Sequence, residues 1–137
     1  MTRGETSGAE TSAYKPYTSA RRPGGPPESR PGFRILVHRK HEARWNELVD
    51  RVGLEQAQRF YDHVCQTPGA PAEGIRVTPL RGRAGRPQEP GFSQTLHWRV
   101  PGRAARIDYQ YNAAYRGGRK GDPHPVVRII AINFSSH

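Results

Sequence analysis

The sequence predicts an α+β fold in which an N-terminal strand and a helical hairpin precede a three- to four-stranded antiparallel sheet. Two changes of periodicity carry this prediction. Apolar residues alternate with polar ones in Phe33–His38, recur at helical spacing between residues 41 and 67, and alternate again after Phe92. Helices followed by strands in this order are typical of a sheet with helices packed on one face.

Two short amphipathic helices account for residues 41 to 67. In the first, apolar residues lie at positions i, i+3, i+4 and i+7, and Gly53 ends the segment. The second repeats helical spacing until Thr67-Pro68-Gly69. The side chains of both stripes, and the single Cys65, are interpreted as core packing. The stripe residues are Trp45, Leu48, Val49, Val52, Leu54, Ala57, Tyr61 and Val64.

The second half of the chain predicts the strands of the sheet. Phe92–Val100 alternates strictly, so His97 and Arg99 share one face of that strand. After a turn at Pro101-Gly102, residues 105–111 alternate in the same way, and Arg106 and Asp108 share a face. A polar loop over 112–125 precedes a final, mostly apolar strand, and 75–80 is a candidate fourth strand.

Composition divides the chain into a tail and one domain. Residues 1–32 are rich in Pro and Gly and poor in apolar residues, which predicts a disordered tail before a domain at 33–137. A lone cysteine and the absence of an apolar leader after Met1 favour a reducing cytoplasm. The sequence contains no run of about 18 apolar residues, which a membrane-spanning helix would need, so no membrane partner is expected.

The charge of the chain favours a polyanionic partner. Lys and Arg number 22 against 12 Asp and Glu, giving +10, and residues 76–137 hold eleven of the basic residues and three of the acidic ones. Most of the cations are arginine, whose planar guanidinium binds phosphate through two parallel hydrogen bonds. A neutral segment joined to a basic one suggests a single binding face.

Three segments resemble the RelE/ParE toxin superfamily of bacterial toxin–antitoxin systems over roughly residues 33–137. They are Leu80-Arg81-Gly82, the hairpin from Trp98 to Tyr109, and the closing strand 127–132. The resemblance implies a type II toxin with a cognate antitoxin as partner. It also implies one of two activities, namely metal-independent endoribonuclease cleavage of mRNA on the ribosome, or inhibition of DNA gyrase.

The resemblance to the ribonucleases implies catalytic residues on the open face of the sheet. Such cleavage needs a base, an acid and cations on the phosphate, and His97, His137, Arg99 and Arg106 are the candidates. The C-terminal strand departs from the family, because Asn133-Phe134 stands where an Arg is common. Contacts to mRNA and ribosomal RNA are expected from further cations, and no metal or other cofactor is expected. These cations are Arg81, Arg83, Arg86, Arg103 and Lys120.

Two functions therefore remain open from the sequence. The first is an mRNA-cleaving toxin that inhibits translation. The second is a non-catalytic relative, either a gyrase inhibitor or an RNA-binding module. His97 two residues from Arg99 favours the first, because a gyrase inhibitor has no need of a proton-transferring side chain beside a phosphate-binding one.

Overall fold

The computed structural model describes residues 16–27, 30–72, 74–75, 77–116 and 123–134. These residues form an α+β fold, as the sequence predicts. The strands are β1 Tyr17–Ser19, β2 Arg34–His38, β3 Val77–Pro79, β4 Leu96–Arg99, β5 Ala105–Tyr115 and β6 His124–Phe134. The α-helices are α1 Glu42–Asn46, α2 Leu48–Val52, α3 Leu54–Val64 and α4 Gly82–Gly85, and a 3₁₀ turn, Arg39–His41, precedes α1.

The six strands form one mixed sheet in the order β1-β2-β6-β5-β4-β3. β2 runs parallel to β6, and the other neighbouring pairs are antiparallel. The four strands that follow α3 pair antiparallel with one another, as predicted, but the sheet also includes β1 and β2, and the parallel pairing of β2 with β6 makes it a mixed sheet of six strands. The parallel pair has a topological cause, because the helices return the chain so that the first predicted strand lies beside the last one and runs parallel to it. Periodicity within a strand does not reveal which strands are its partners.

The helices pack on one face of the sheet, here called the helix face. Phe60 of α3 meets Trp98 of β4 and Tyr109 of β5 edge-on, with ring centroids 5.2 and 5.7 Å apart. All three side chains are fully buried. The predicted helical stripes thus pack in the core, except for Val49 and Leu54, which are exposed.

An irregularity in β6 determines which of its residues reach the helix face. Asp108 of β5 pairs with Ala131, whereas the next residue, Tyr109, pairs with Ile129, so Ile130 is an extra residue. Such a bulge shifts the alternation of side chains by one position. As a result, Ile129 and Ile132 both lie in the core on the helix face, although they are three residues apart.

Part of the predicted disordered tail is ordered. Tyr17–Ser19 pairs with β2 as an edge strand, and Tyr17 is 4% exposed. Arg22 forms an ion pair with Asp62 of α3 at 2.8 Å. Composition did not reveal these contacts because their partners lie far along the chain. Residues 1–15 and 28–29 lie outside the described residues.

Removing residues 16–32 is expected to destabilise the domain. A chain beginning at residue 33 lacks β1 and the Arg22 ion pair, and we expect its melting temperature to fall by more than about 5 °C relative to a chain beginning at residue 16. Thermal unfolding followed by circular dichroism measures the difference. Equal melting temperatures for the two chains would show that the contacts of β1 contribute nothing to stability.

Candidate nucleic-acid interface

The face of the sheet opposite the helices carries the predicted site, and we call it the second face. Trp98, Ile107 and Ile132 point to the helices, so their neighbours in each strand point to the second face. Strand pairing arranges these neighbours in cross-strand rows. The basic row is Arg99, Arg106 and Asn133, the histidine row is His97, Asp108 and Ala131, and the covered row is Thr95, Gln110 and Arg128.

The covered row is closed by residues 86–92, which we call the covering loop. Gln110 holds this loop through its side-chain amide. Its Oε1 accepts a hydrogen bond from the backbone N–H of Gln88 at 2.9 Å, and its Nε2 donates to the carbonyl of Arg86 at 2.8 Å. Nε2 also donates to Thr95 Oγ1 at 2.8 Å. One side of the second face is therefore inaccessible to a large ligand.

Arg128 is the charged residue at the centre of the covered side. Its side chain is 8% exposed, and its guanidinium forms an ion pair with Glu89 of the covering loop at 2.8 Å. The same guanidinium lies 4.7 Å from the ring centroid of Tyr17, 4.5 Å from that of Phe92 and 5.0 Å from that of Tyr115. Cation–π contacts of this kind are strongest when water is excluded. Arg128 thus joins β1, β5, β6 and the covering loop.

His97 and Asp108 form a buried pair in the histidine row. His97 is 7% exposed, and its Nδ1 lies 3.0 Å from Asp108 Oδ1, close but not aligned as a hydrogen bond. Desolvation lowers the pKa of His97 against the opposing effect of the Asp108 charge, and nearby Arg106 and Arg99 lower it further. Desolvation also raises the pKa of Asp108, against the effects of His97 and Arg106. His97 is therefore neutral at pH 7.

The burial of His97 corrects one expectation from the sequence. The resemblance implies that His97 lies on an open face of the sheet; the side chain lies on the predicted face, but it is buried there. Its Nε2 has no hydrogen-bond partner among the residues that the structure describes, although the atom is buried. Buried polar atoms of native proteins are nearly always paired, so an unpaired one requires an explanation.

The basic row remains open to solvent. Arg99 and Arg106 are exposed and stand directly opposite each other in the β4–β5 pair. Like charges in this position repel each other and destabilise the sheet. Within the described part of the chain, neither forms an ion pair with a carboxylate. A bound anion would remove this repulsion, which makes the row suited to phosphate.

The other predicted cations lie around this row or outside the described residues. Arg103 is exposed in the β4–β5 hairpin, where the predicted turn has Gly102 at a φ of 69°. Arg99 and Arg103 line an open groove of about 420 Å³. Arg81, Arg83 and Arg86 are exposed on the segment that leads into the covering loop. Lys120 and His137 lie outside the described residues.

The sequence analysis did not identify the groups that shape this face. Asp108 is expected to pair with Arg106 from its sequence position, but its carboxylate contacts His97. The sequence pattern assigns no function to Arg128, because a single Arg in an apolar strand is an ordinary feature. A charged residue flanked by buried positions in a central strand is the signal that would have indicated it.

Among the described residues, no group of three or more His, Cys, Asp or Glu side chains is placed to hold a metal ion. No helix in the described part of the chain is long and apolar enough to cross a membrane.

Comparison of the chain with family models, curated proteins and solved structures finds no match. The geometry of the second face is therefore the basis for assigning a function.

Replacing Arg128 tests whether it holds the covered side together. We expect Arg128→Ala to lower the free energy of unfolding by about 2–3 kcal/mol, because it removes the ion pair with Glu89 and three ring contacts. Arg51→Ala is the matched control, since Arg51 is exposed and contacts one ring, Phe134. Its loss is expected to be about 0.5 kcal/mol. Urea denaturation measures both, and equal losses would contradict the role of Arg128.

Proposed function

We propose that this protein is a toxin of the RelE/ParE kind, the toxin component of a type II toxin–antitoxin system. It acts in the cytoplasm as a metal-independent endoribonuclease that cleaves mRNA on the ribosome. Its partners in this proposal are mRNA, ribosomal RNA and a cognate antitoxin protein. The supporting observation is a single one: two opposed arginines, Arg99 and Arg106, lie beside the buried His97 and Asp108 on the open side of the second face.

The basic row supports binding of an RNA backbone. An exposed pair of arginines with no described carboxylate partner is matched to the negative charge and the oxygen geometry of a phosphodiester. Arg103 and the groove it lines extend the same charge along the hairpin. On the helix side, the exposed Arg51 lies within ion-pair distance of Glu47, at 3.5 Å. The opposed, exposed arginines of the basic row make the second face the candidate surface for a polyanion.

The histidine row supports proton transfer. In the proposed reaction, His97 Nε2 takes the proton of a ribose 2′-hydroxyl, and the oxygen attacks the adjacent phosphorus. Arg99 and Arg106 stabilise the negative charge that develops on the phosphoryl oxygens. The P–O5′ bond breaks and the 5′-oxygen receives a proton from an acid, for which His137 remains the candidate from the sequence. A neutral imidazole is the form that accepts a proton.

A non-catalytic function is the second candidate, and one observation favours it. His97 Nε2 has almost no solvent-accessible surface, so the surrounding side chains must move before it reaches a substrate. A gyrase inhibitor or an RNA-binding module has no such requirement. Catalytic contacts that are incomplete in a free enzyme often form only with substrate, so burial does not decide between the two.

The ribonuclease proposal predicts separate effects for the two arginines. We expect Arg106→Ala to slow the single-turnover cleavage of mRNA on programmed ribosomes by about 10²- to 10⁴-fold, because a cation at the reacting phosphate is lost. Arg99→Ala should act mainly on binding. Both side chains are exposed and repel each other, so neither substitution should lower the melting temperature. Primer extension on the translated message measures the cleavage.

Arg51→Ala is the control for the loss of one positive charge, because Arg51 belongs to α2 on the helix side. It should leave cleavage unchanged. If the wild-type protein inhibits growth without cutting messages, or if the Arg106 and Arg51 variants cleave equally well, the ribonuclease proposal fails. The gyrase-directed or RNA-binding function then takes its place.

The pH dependence of cleavage tests His97 as the base. Because burial lowers the pKa of His97 below its ordinary value of about 6.5, the neutral imidazole is the major form at pH 6.5 and above. We therefore expect the single-turnover rate to rise with pH only below about 6.5 and to be level between 7 and 8. A rate that continues to climb through this range would indicate a different base.

A further inference from the structure

The contact between His97 and Asp108 has a chemical consequence beyond the assignment of His97. Nδ1 lies 3.0 Å from the carboxylate oxygen, and Nε2 is buried without a partner among the described residues. A neutral imidazole carries one proton, and the nitrogen that holds it is determined by the partner of the ring. The group beside Nδ1 therefore decides which nitrogen is free to accept a proton.

We propose that Asp108 is the positioning residue of this site, and that it holds His97 as the tautomer with the proton on Nδ1. The lone pair of Nε2 is then available for the 2′-hydroxyl proton. This inference rests on the proposed ribonuclease function for its role in the reaction. The tautomer itself does not depend on that function.

The neighbours of His97 leave Asp108 as the acceptor for Nδ1–H. The charged groups that act on His97 are Asp108, Arg106 and Arg99. Both arginines are donors only, so they cannot accept a proton from the ring. Across the row, β3 contributes Thr78 opposite His97, and β6 contributes Ala131 opposite Asp108, and neither is charged. A carboxylate is the one acceptor in this set that attracts an N–H by charge.

The misalignment of the pair is consistent with a free enzyme. Catalytic hydrogen bonds are often long or poorly aligned before substrate binds and tighten in the complex. Nε2 of His97 is buried without a partner among the described residues, as Trp98 Nε1 and Arg128 Nε also are. With Nδ1 facing Asp108, Nε2 is the ring nitrogen left free for a partner from a substrate.

The charges balance through the proposed step. The O–H bond of the 2′-hydroxyl breaks as an N–H bond forms at Nε2. The electron pair left on the 2′-oxygen forms the new bond to phosphorus, and the P–O5′ bond breaks. His97 becomes an imidazolium beside the Asp108 carboxylate, which keeps its proton count throughout. The negative charge of Asp108 stabilises this imidazolium against the nearby positive charges of Arg99 and Arg106.

The tautomer is measured directly by ¹⁵N NMR of the full chain labelled at histidine, at pH 7. A spectrum of His97→Gln identifies the His97 signals by their loss. In the wild type, we expect Nδ1 to show the shift of a protonated nitrogen and Nε2 that of an unprotonated one. Asp108→Ala should abolish this preference, and Asp108→Glu should restore it if the longer carboxylate reaches Nδ1. A wild-type His97 protonated on Nε2 overturns the proposal, whatever the variants do.

Cleavage assays on the same proteins link the tautomer to the reaction. We expect Asp108→Ala to slow single-turnover cleavage by about 10²- to 10⁴-fold and to change its pH profile, whereas a purely structural loss would lower the melting temperature and leave the profile unchanged. Asp108→Glu should recover part of the rate. Asp50→Asn removes a carboxylate on α2 and should change neither readout.

The two proposals fail in different ways. If the wild type cleaves no message but its His97 shows the Asp108-dependent tautomer, the ribonuclease proposal is overturned and the assignment of the tautomer is supported. If the wild type cleaves and Asp108→Ala cleaves equally well with the same pH profile, the positioning role is overturned and the ribonuclease proposal is unaffected.

Discussion

The ion pair of the buried Arg128 with the partly exposed Glu89 is the interaction on which the form of the second face depends. A guanidinium removed from water needs a charge partner and hydrogen-bond acceptors or rings around it, and Arg128 obtains these from β1, β5 and the covering loop. The groups that satisfy this one cation cover the row of Thr95, Gln110 and Arg128. The basic row remains accessible.

The division of the second face explains why neighbouring rows have opposite electrostatic properties. In the covered row, the Gln110 amide is matched by three hydrogen bonds, and Arg128 is matched by its ion pair with Glu89 and three aromatic rings, while its Nε has no hydrogen-bond partner among the described residues. In the basic row, two arginines face each other with no carboxylate partner among the described residues. The first arrangement stabilises the fold, whereas the second lowers stability unless an anion binds. That contrast, together with the buried His97 between the rows, is the physical basis of the functional proposal.

Sequence periodicity predicted the helical region, the central strands and the face of the site, but not β1, α4, the division of the first predicted helix into shorter elements, or the partners of the strands. The helical stripe, the alternation around Trp98 and the Pro101-Gly102 turn are local patterns, and the structure confirms them. The parallel pairing of β2 with β6, the edge strand at Tyr17 and the bulge at Ile130 depend on long-range contacts. Local patterns carry no information about such contacts.

The same limit applied to the site itself. Alternation correctly put His97, Arg99, Arg106 and Asp108 on one face of the sheet, because strand periodicity is a property of the backbone. It did not predict the burial of His97, since that depends on its place between the basic row and the covered row. The pairing of Asp108 with His97 instead of Arg106 is likewise a result of cross-strand register.

The central claim is that the open side of the second face binds an RNA backbone. Titration of the ¹⁵N-labelled protein with a short single-stranded RNA, followed by backbone amide chemical shifts, tests this claim directly. The account predicts that RNA changes the chemical shifts mainly in residues 97–108 and that these changes become smaller as salt is added. The amide shifts of α2 and α3 should stay the same. Shifts confined to the helices, or none at RNA concentrations that saturate a basic control protein, would contradict it.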